Sequence, residues 1–190
     1  MSNLILGLDV STSVTGVCVL DPQIVPDDKG SHIIHLDRIE FKKFNTLWEK
    51  ADYTLSCLND IKNKFESDYT LTIEEPLMGF QKGMSSAATI TTLMRFNGIT
   101  SYIARNVFGV DPVYIHAASA RKTCGIKMQR TSIAGMSGKE QVFKYMSEHD
   151  LKHIQWPTKK NGSAADWSRD ATDSYVIARA AMISGPLKND

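Results

Sequence analysis

Between Leu4 and Leu20 two apolar runs of seven residues, Leu4–Val10 and Val14–Leu20, flank Ser11-Thr12-Ser13, and Asp9 is the single charged residue of those seventeen. Runs of this length, rich in Val, Ile and Leu and broken by small polar residues, predict two strands joined as a β-hairpin. A hairpin so apolar belongs in the core of a sheet, which makes Asp9 the residue to explain. A carboxylate there is hydrogen-bonded, paired with a cation or bound to a metal, because an unpaired one is costly to bury. The plainest alternative is a turn-capping Asp that accepts N–H bonds from Ser11 to Ser13.

The rest of the chain alternates in type. After a turn-rich stretch, His32 to Phe41 predicts a third strand, antiparallel to the hairpin. Phe44, Leu47, Trp48, Ala51, Leu55, Leu58, Ile61 and Phe65 recur at spacings of three and four, the stripe of an amphipathic helix. Tyr69 to Glu74 predicts a buried strand halted by Pro76, and Ser85 to Phe108 a long helix. Val113 to His116 predicts a fifth strand and Ser119 to Cys124 a short helix. Residues 125–138 predict a loop, Lys139 to His149 a helix, 152–163 a basic loop, and Ala165 to Ile183 a closing helix. The order gives an α/β fold: a five-stranded mixed sheet, three antiparallel strands then parallel ones, flanked by helices. The 190 residues suffice for one domain with one core.

Two further acidic elements join Asp9. Glu74 and Glu75 end the fourth strand, and side-chain alternation lets only one of them share a face with Asp9. In the segment SRDATDSYVIARAA, Asp170 and Asp173 lie three apart, hence on one helical face that runs on into the core. Asp166, four residues before Asp170, reads as the cap of that helix. Four acids gathered at one site would repel one another unless a divalent cation neutralised them. Oxygen donors without Cys or His partners point to magnesium or manganese. Two such ions bridged by carboxylates activate water and stabilise a leaving oxygen in phosphodiester hydrolysis.

Charge is unevenly spread although the formal net charge is only +1. Residues 121–160 carry nine Lys and Arg against three acids, which suggests an anionic partner beside the carboxylates. Cys18, Cys57 and Cys124 are odd in number and form no CxxC pair, so a reducing, cytoplasmic setting without structural disulfides is expected. Nowhere do eighteen apolar residues run together, so no membrane association is expected.

In these motifs the chain resembles the RuvC-type Holliday junction resolvases of the RNase H-like nuclease superfamily. LILGLDVSTSVTGVCVL is similar to that family's opening strand-turn-strand with its catalytic Asp, here Asp9. LTIEEPL resembles its Ile-Glu motif and points to Glu74 rather than Glu75, and RDATDSYVIARA resembles its closing D-x-x-D-A helix with Asp170 and Asp173. The resemblance spans nearly the whole chain. It implies an RNase H-like fold, two magnesium or manganese ions held by these four residues, and a homodimer that cuts four-way DNA junctions symmetrically. It further implies that Lys139 contacts the scissile phosphate and that Lys122, Lys127 and Arg130 bind the DNA backbone. Leu77 stands where the family has its junction-wedging aromatic, with Phe80 three residues on, so both are expected to contact DNA. The helix from Ser85, with Ser86, Ala87 and Ala88 allowing close approach, is the expected dimer interface.

Three other functions share parts of this pattern. The hairpin also resembles the first phosphate-binding turn of the sugar kinase and actin superfamily. That fold needs two such domains around its nucleotide, so no nucleotide cofactor is expected here. A broader branched-DNA or RNA–DNA hybrid nuclease would use the same four acids. A protein that binds branched DNA without cutting it would not need them all.

Overall fold

A computed structural model of the protein describes residues 3–76 and 86–185. Five strands, β1 (Asn3–Asp9), β2 (Val14–Leu20), β3 (Ile33–Glu40), β4 (Asp68–Glu74) and β5 (Val113–Ile115), form one sheet in the order β3-β2-β1-β4-β5. β1–β2 and β2–β3 are antiparallel, while β1–β4 and β4–β5 are parallel. The helices are α1 (Leu47–Lys64), α2 (Ala87–Phe108), α3 (Ala117–Thr123), α4 (Thr131–Ala134), α5 (Gly138–Glu148) and α6 (Trp167–Ser184). The mixed five-stranded sheet expected from the sequence is the one observed.

Strand alternation sorts the core into two layers. Leu4, Leu6 and Leu8 of β1, with Leu71 and Ile73 of β4, pack with Leu58, Ile61 and Phe96 of α1 and α2. Ile5 of β1, with Cys18 and Leu20 of β2, packs on the opposite face with Val142 and Met146 of α5 and Tyr175 and Ile177 of α6. Asp9 follows the odd-numbered positions of β1, and Glu74 the even-numbered positions of β4. Both therefore belong to the α6 face.

The approach of α6 to the hairpin depends on two glycines. A Cβ at Gly7 would lie 2.5 Å from the Ser174 carbonyl oxygen, and one at Gly16 would lie 2.0 Å from that of Asp170. Helix ends follow local chemistry. Thr46 and Glu49 form a reciprocal capping box at the start of α1, with Thr46 N–H donating to Glu49 Oε2 at 2.8 Å and Glu49 N–H to Thr46 Oγ1 at 3.2 Å. Gly109, at φ 74°, ends α2 in the left-handed region.

Two expectations are corrected. The predicted loop at 125–138 contains the single turn α4, closed by Gly135 at φ 66°. Asp166 does not cap α6 with its side chain: its backbone is already helical (φ −58°, ψ −40°), whereas a capping side chain needs extended backbone to turn back on the first turn. Its carboxylate pairs instead with Lys159.

Candidate active site

Three elements bring the predicted carboxylates to one edge of the sheet. β1 and β4 run parallel with Leu8 beside Ile73, which puts Asp9 and Glu74 next to one another at the strand ends. The Asn97 side chain of α2 donates to the Glu74 carbonyl at 3.2 Å and ties that end down. α6 crosses above, and the missing side chain at Gly16 lets the Asp170 backbone touch β2. Asp9 is 6% exposed and Asp173 4%.

The ammonium of Lys139, from the first turn of α5, sits among these acids. Nζ donates to Asp170 Oδ1 at 2.7 Å and to Asp9 Oδ2 at 3.1 Å, and lies 3.3 Å from Asp173 Oδ2. Arg121 of α3 approaches Asp173 Oδ1 from the other side at 4.0 Å. Even so, negative charge is in excess. Burial, reinforced by the charges of Asp9 and Asp173, pushes Glu74 up to about 8. Burial and the Asp9 charge push Asp173 up to about 7, against the pull of Lys139 and Arg121. Burial likewise raises Asp170, opposed by Lys139. Burial disfavours the charge on Lys139, yet Asp9, Asp173 and Asp170 outweigh it and hold the amine above its usual range.

A cluster of acids whose carboxyls are pushed up by burial and by one another's charge is suited to a hard divalent cation. Asp9, Glu74, Asp170 and Asp173 supply only oxygen donors, so the donor set fits magnesium or manganese. Among the described residues no three such side chains are yet drawn together as a ready-made cage, and the Lys139 ammonium lies among the acids.

The predicted DNA-contacting residues fall into three groups. Lys122 and Lys127 are exposed and line an open cavity of about 570 Å³ together with Arg121 and Met128. Arg130 is exposed but lies outside that lining, at the start of α4. Leu77 and Phe80 lie outside the described residues, as does Ser85. Ser86 caps α2 by accepting from Thr89 N–H at 3.2 Å, and Ala87 and Ala88 are exposed. Trp167 packs edge-on against Trp156, with the Arg38 guanidinium 4.1 Å from its ring centroid.

Sequence reasoning missed Arg121, Glu140 and Arg169. Arg169 grips Glu140 through two parallel bonds, Nε to Oε2 at 2.9 Å and Nη2 to Oε1 at 3.1 Å. The signal available was adjacency: Glu140 follows Lys139, Arg169 precedes Asp170, and the two carry opposite charge.

The structure is similar over its whole length to solved resolvases. It matches Thermus thermophilus RuvC in complex with a Holliday junction substrate with a TM-score of 0.60, covering 95% of this chain and 93% of that one at 12% identity. The fold is that of the RuvC-type resolvases. A second Thermus thermophilus RuvC structure gives a TM-score of 0.56 at 14% identity, again over 95% of this chain and 93% of that one. The yeast mitochondrial Holliday junction resolvase gives 0.54 at 14% identity, over 96% of this chain and 78% of the other. No protein-family model and no curated protein matches the sequence. Among the described residues of this RuvC-like fold, no helix is long and apolar enough to cross a membrane.

Proposed function

We propose that this chain is a metal-dependent endonuclease of branched DNA and that the four-way junction is its substrate. The observation that carries the proposal is the convergence of Asp9, Asp170 and Asp173 on one cation, Lys139, with Glu74 beside Asp9 at the ends of paired strands. Such an excess of buried acid destabilises a fold and suits a site that handles cations and phosphate. Its occurrence on a RuvC-like fold, one of whose solved examples is in complex with a Holliday junction substrate, supports the choice of DNA.

In this reading Asp9, Glu74, Asp170 and Asp173 hold one or two divalent ions. When bound, the ions supply an activated water and neutralise the departing 3′ oxygen. Lys139 contacts the scissile phosphate, while Arg121, Lys122 and Lys127 hold backbone phosphates in the cavity beside Asp173, with Arg130 farther out. The chain works as a homodimer, since symmetric cuts in a four-way junction need two sites related by a two-fold axis. An exposed groove of about 530 Å³ between α1 and α2 suits the partner copy. Trp48 and Tyr102 line it at 72% and 66% exposure, and Asp52 and Arg95 give it self-complementary charge.

The test is cleavage of labelled four-way, three-way, flap, linear duplex and RNA–DNA hybrid substrates, with magnesium or chelator, by the wild type and Asp9→Asn. The expected result is paired nicks in the four-way junction that need both metal and Asp9, with Asp9→Asn still binding the junction. Preferential cutting of three-way or flap DNA would overturn the substrate assignment and keep the site. Absence of cleavage on every substrate would overturn the enzyme.

A further inference from the structure

Lys139 does not stand as a residue waiting for a phosphate would stand. A lysine has a long flexible stem, and 47% of this side chain is exposed, so reaching into solvent is open to it. Instead its head meets three different carboxylates within 3.3 Å, one each from β1 and from two positions of α6. An ammonium has three N–H groups, and three acidic residues surround it.

The seat is also braced. Ser137 Oγ accepts from Glu140 N–H at 3.2 Å and caps α5 directly beneath Lys139. Glu140 is held by the two-bond grip of Arg169, whose third arm donates to the carbonyls of Ala164 at 2.9 Å and Ala165 at 3.1 Å. The same guanidinium lies 4.7 Å from the Phe143 ring centroid. The bracing pair is one residue removed from Lys139 on α5 and from Asp170 on α6. It therefore sets the distance between the amine and the acids.

We propose that Lys139 is a tethered counter-ion that keeps the place of a divalent cation among Asp9, Asp170 and Asp173, with Glu140 and Arg169 as positioning residues. This rests on the metal-dependent reading above. The Lys139 ammonium draws on Asp9 Oδ2, Asp170 Oδ1 and Asp173 Oδ2, the same acids that would ligate a metal, so the amine and the cation compete and each weakens the hold of the other. The amine released from the acids is the one that then meets the incoming phosphate. The DNA-free protein accordingly binds divalent metal weakly, and its acids stay neutralised until the metal arrives.

The experiment is calorimetric titration of the DNA-free full chain with manganese alone, for the wild type, Lys139→Met, Glu140→Gln and Lys122→Met. Lys139→Met should bind manganese about tenfold or more tightly than the wild type. It should also melt lower than the wild type in chelator and gain more on adding manganese. Glu140→Gln, which loosens the seat and keeps the amine, should shift affinity in the same direction by about two- to fivefold. Lys122→Met removes an equal charge that pairs with no acid among the described residues and should change it by less than about twofold. Equal or weaker binding by Lys139→Met, or equal tightening by Lys122→Met, overturns the proposal. If Lys139→Met folds in neither condition, the shift or constancy of Glu140→Gln decides. Binding by neither wild type nor variant overturns this proposal together with the metal-dependent reading. The expected pattern without cleavage of any DNA would leave this proposal standing and remove the nuclease.

Discussion

Replacing Gly16 by Ala tests how closely the last helix rests on the hairpin. The added Cβ would stand 2.0 Å from the Asp170 carbonyl oxygen, 2.5 Å from its carbonyl carbon and 3.1 Å from Ala171 N. All three neighbours are backbone, so no rotamer change relieves the clash, and the start of α6 must retreat by about 1 Å or more to restore ordinary contact. Overpacking of this kind costs about 1–3 kcal/mol. In a chain of this length each kcal/mol moves Tm by about 2–4 °C, so a fall of about 2–12 °C is expected by scanning calorimetry. The retreat also carries Asp170 and Asp173 away from Asp9. A 1 Å misplacement of reacting groups costs on the order of a hundredfold, so junction cleavage should fall by about that factor. A Tm within 2 °C of the wild type, with cleavage unchanged, would refute the reasoning that this glycine sets the α6 approach and through it the site.

Three other outcomes are expected. Folded Glu74 and Asp173, at about 8 and about 7, hold protons that the unfolded chain, with ordinary values of 4.5 and 3.8, has released. Metal-free stability should therefore decline as pH rises from about 4.5, where the unfolded carboxyls ionise, and level off above about 8, where the folded ones have ionised too. Asp9→Asn removes one of the repelling charges and should flatten the decline, and parallel Tm profiles for the two proteins would contradict it. Tyr175→Phe deletes a buried hydroxyl that donates to Asp150 Oδ2 at 2.8 Å and lies 3.2 Å from His32 Nε2. It should cost about 1–3 kcal/mol in urea unfolding without altering manganese affinity, and an unchanged midpoint would show that the network adds nothing. Tyr102→Glu puts a charge into the groove between α1 and α2; if the chain pairs there as proposed, the wild type should sediment as a dimer and the variant as a monomer, whereas a variant that stays dimeric would place the interface elsewhere.

The carboxylates were legible because each contradicts its surroundings. Asp9 is the one charge in an apolar hairpin, and Asp170 and Asp173 repeat on the inward face of a helix. The sheet was legible because strand and helix periods alternate along the chain. Lys139 was legible as a basic residue but not as the partner of Asp9, 130 positions away, since ion pairs between distant segments leave no periodic trace. Arg121 was not legible beside Lys122, because nothing in sequence gives the rotation of α3. One step along a helix turns a side chain by about 100°, which puts Arg121 toward Asp173 and leaves Lys122 on the cavity rim. Asp166 read as a cap by residue type, but backbone angle decides capping, and there the chain has already entered the helix. The turn α4 arises in a polar stretch too short to show a period.

The order of the elements also governs when the site comes into being. Asp9 and Glu74 leave the ribosome before Asp170, which follows Glu74 by about 100 residues. At roughly 5–20 residues per second, that separates the two halves by about 5–20 s of synthesis. During that interval the face of β1 and β2 that α6 will cover, with Ile5, Cys18 and Leu20 on it, has no lid. A growing chain then exposes apolar surface that favours aggregation and lacks two of the four acids. Docking of α6 ends both conditions at once, so sealing of this face of the hydrophobic core and assembly of the carboxylate cluster become a single event.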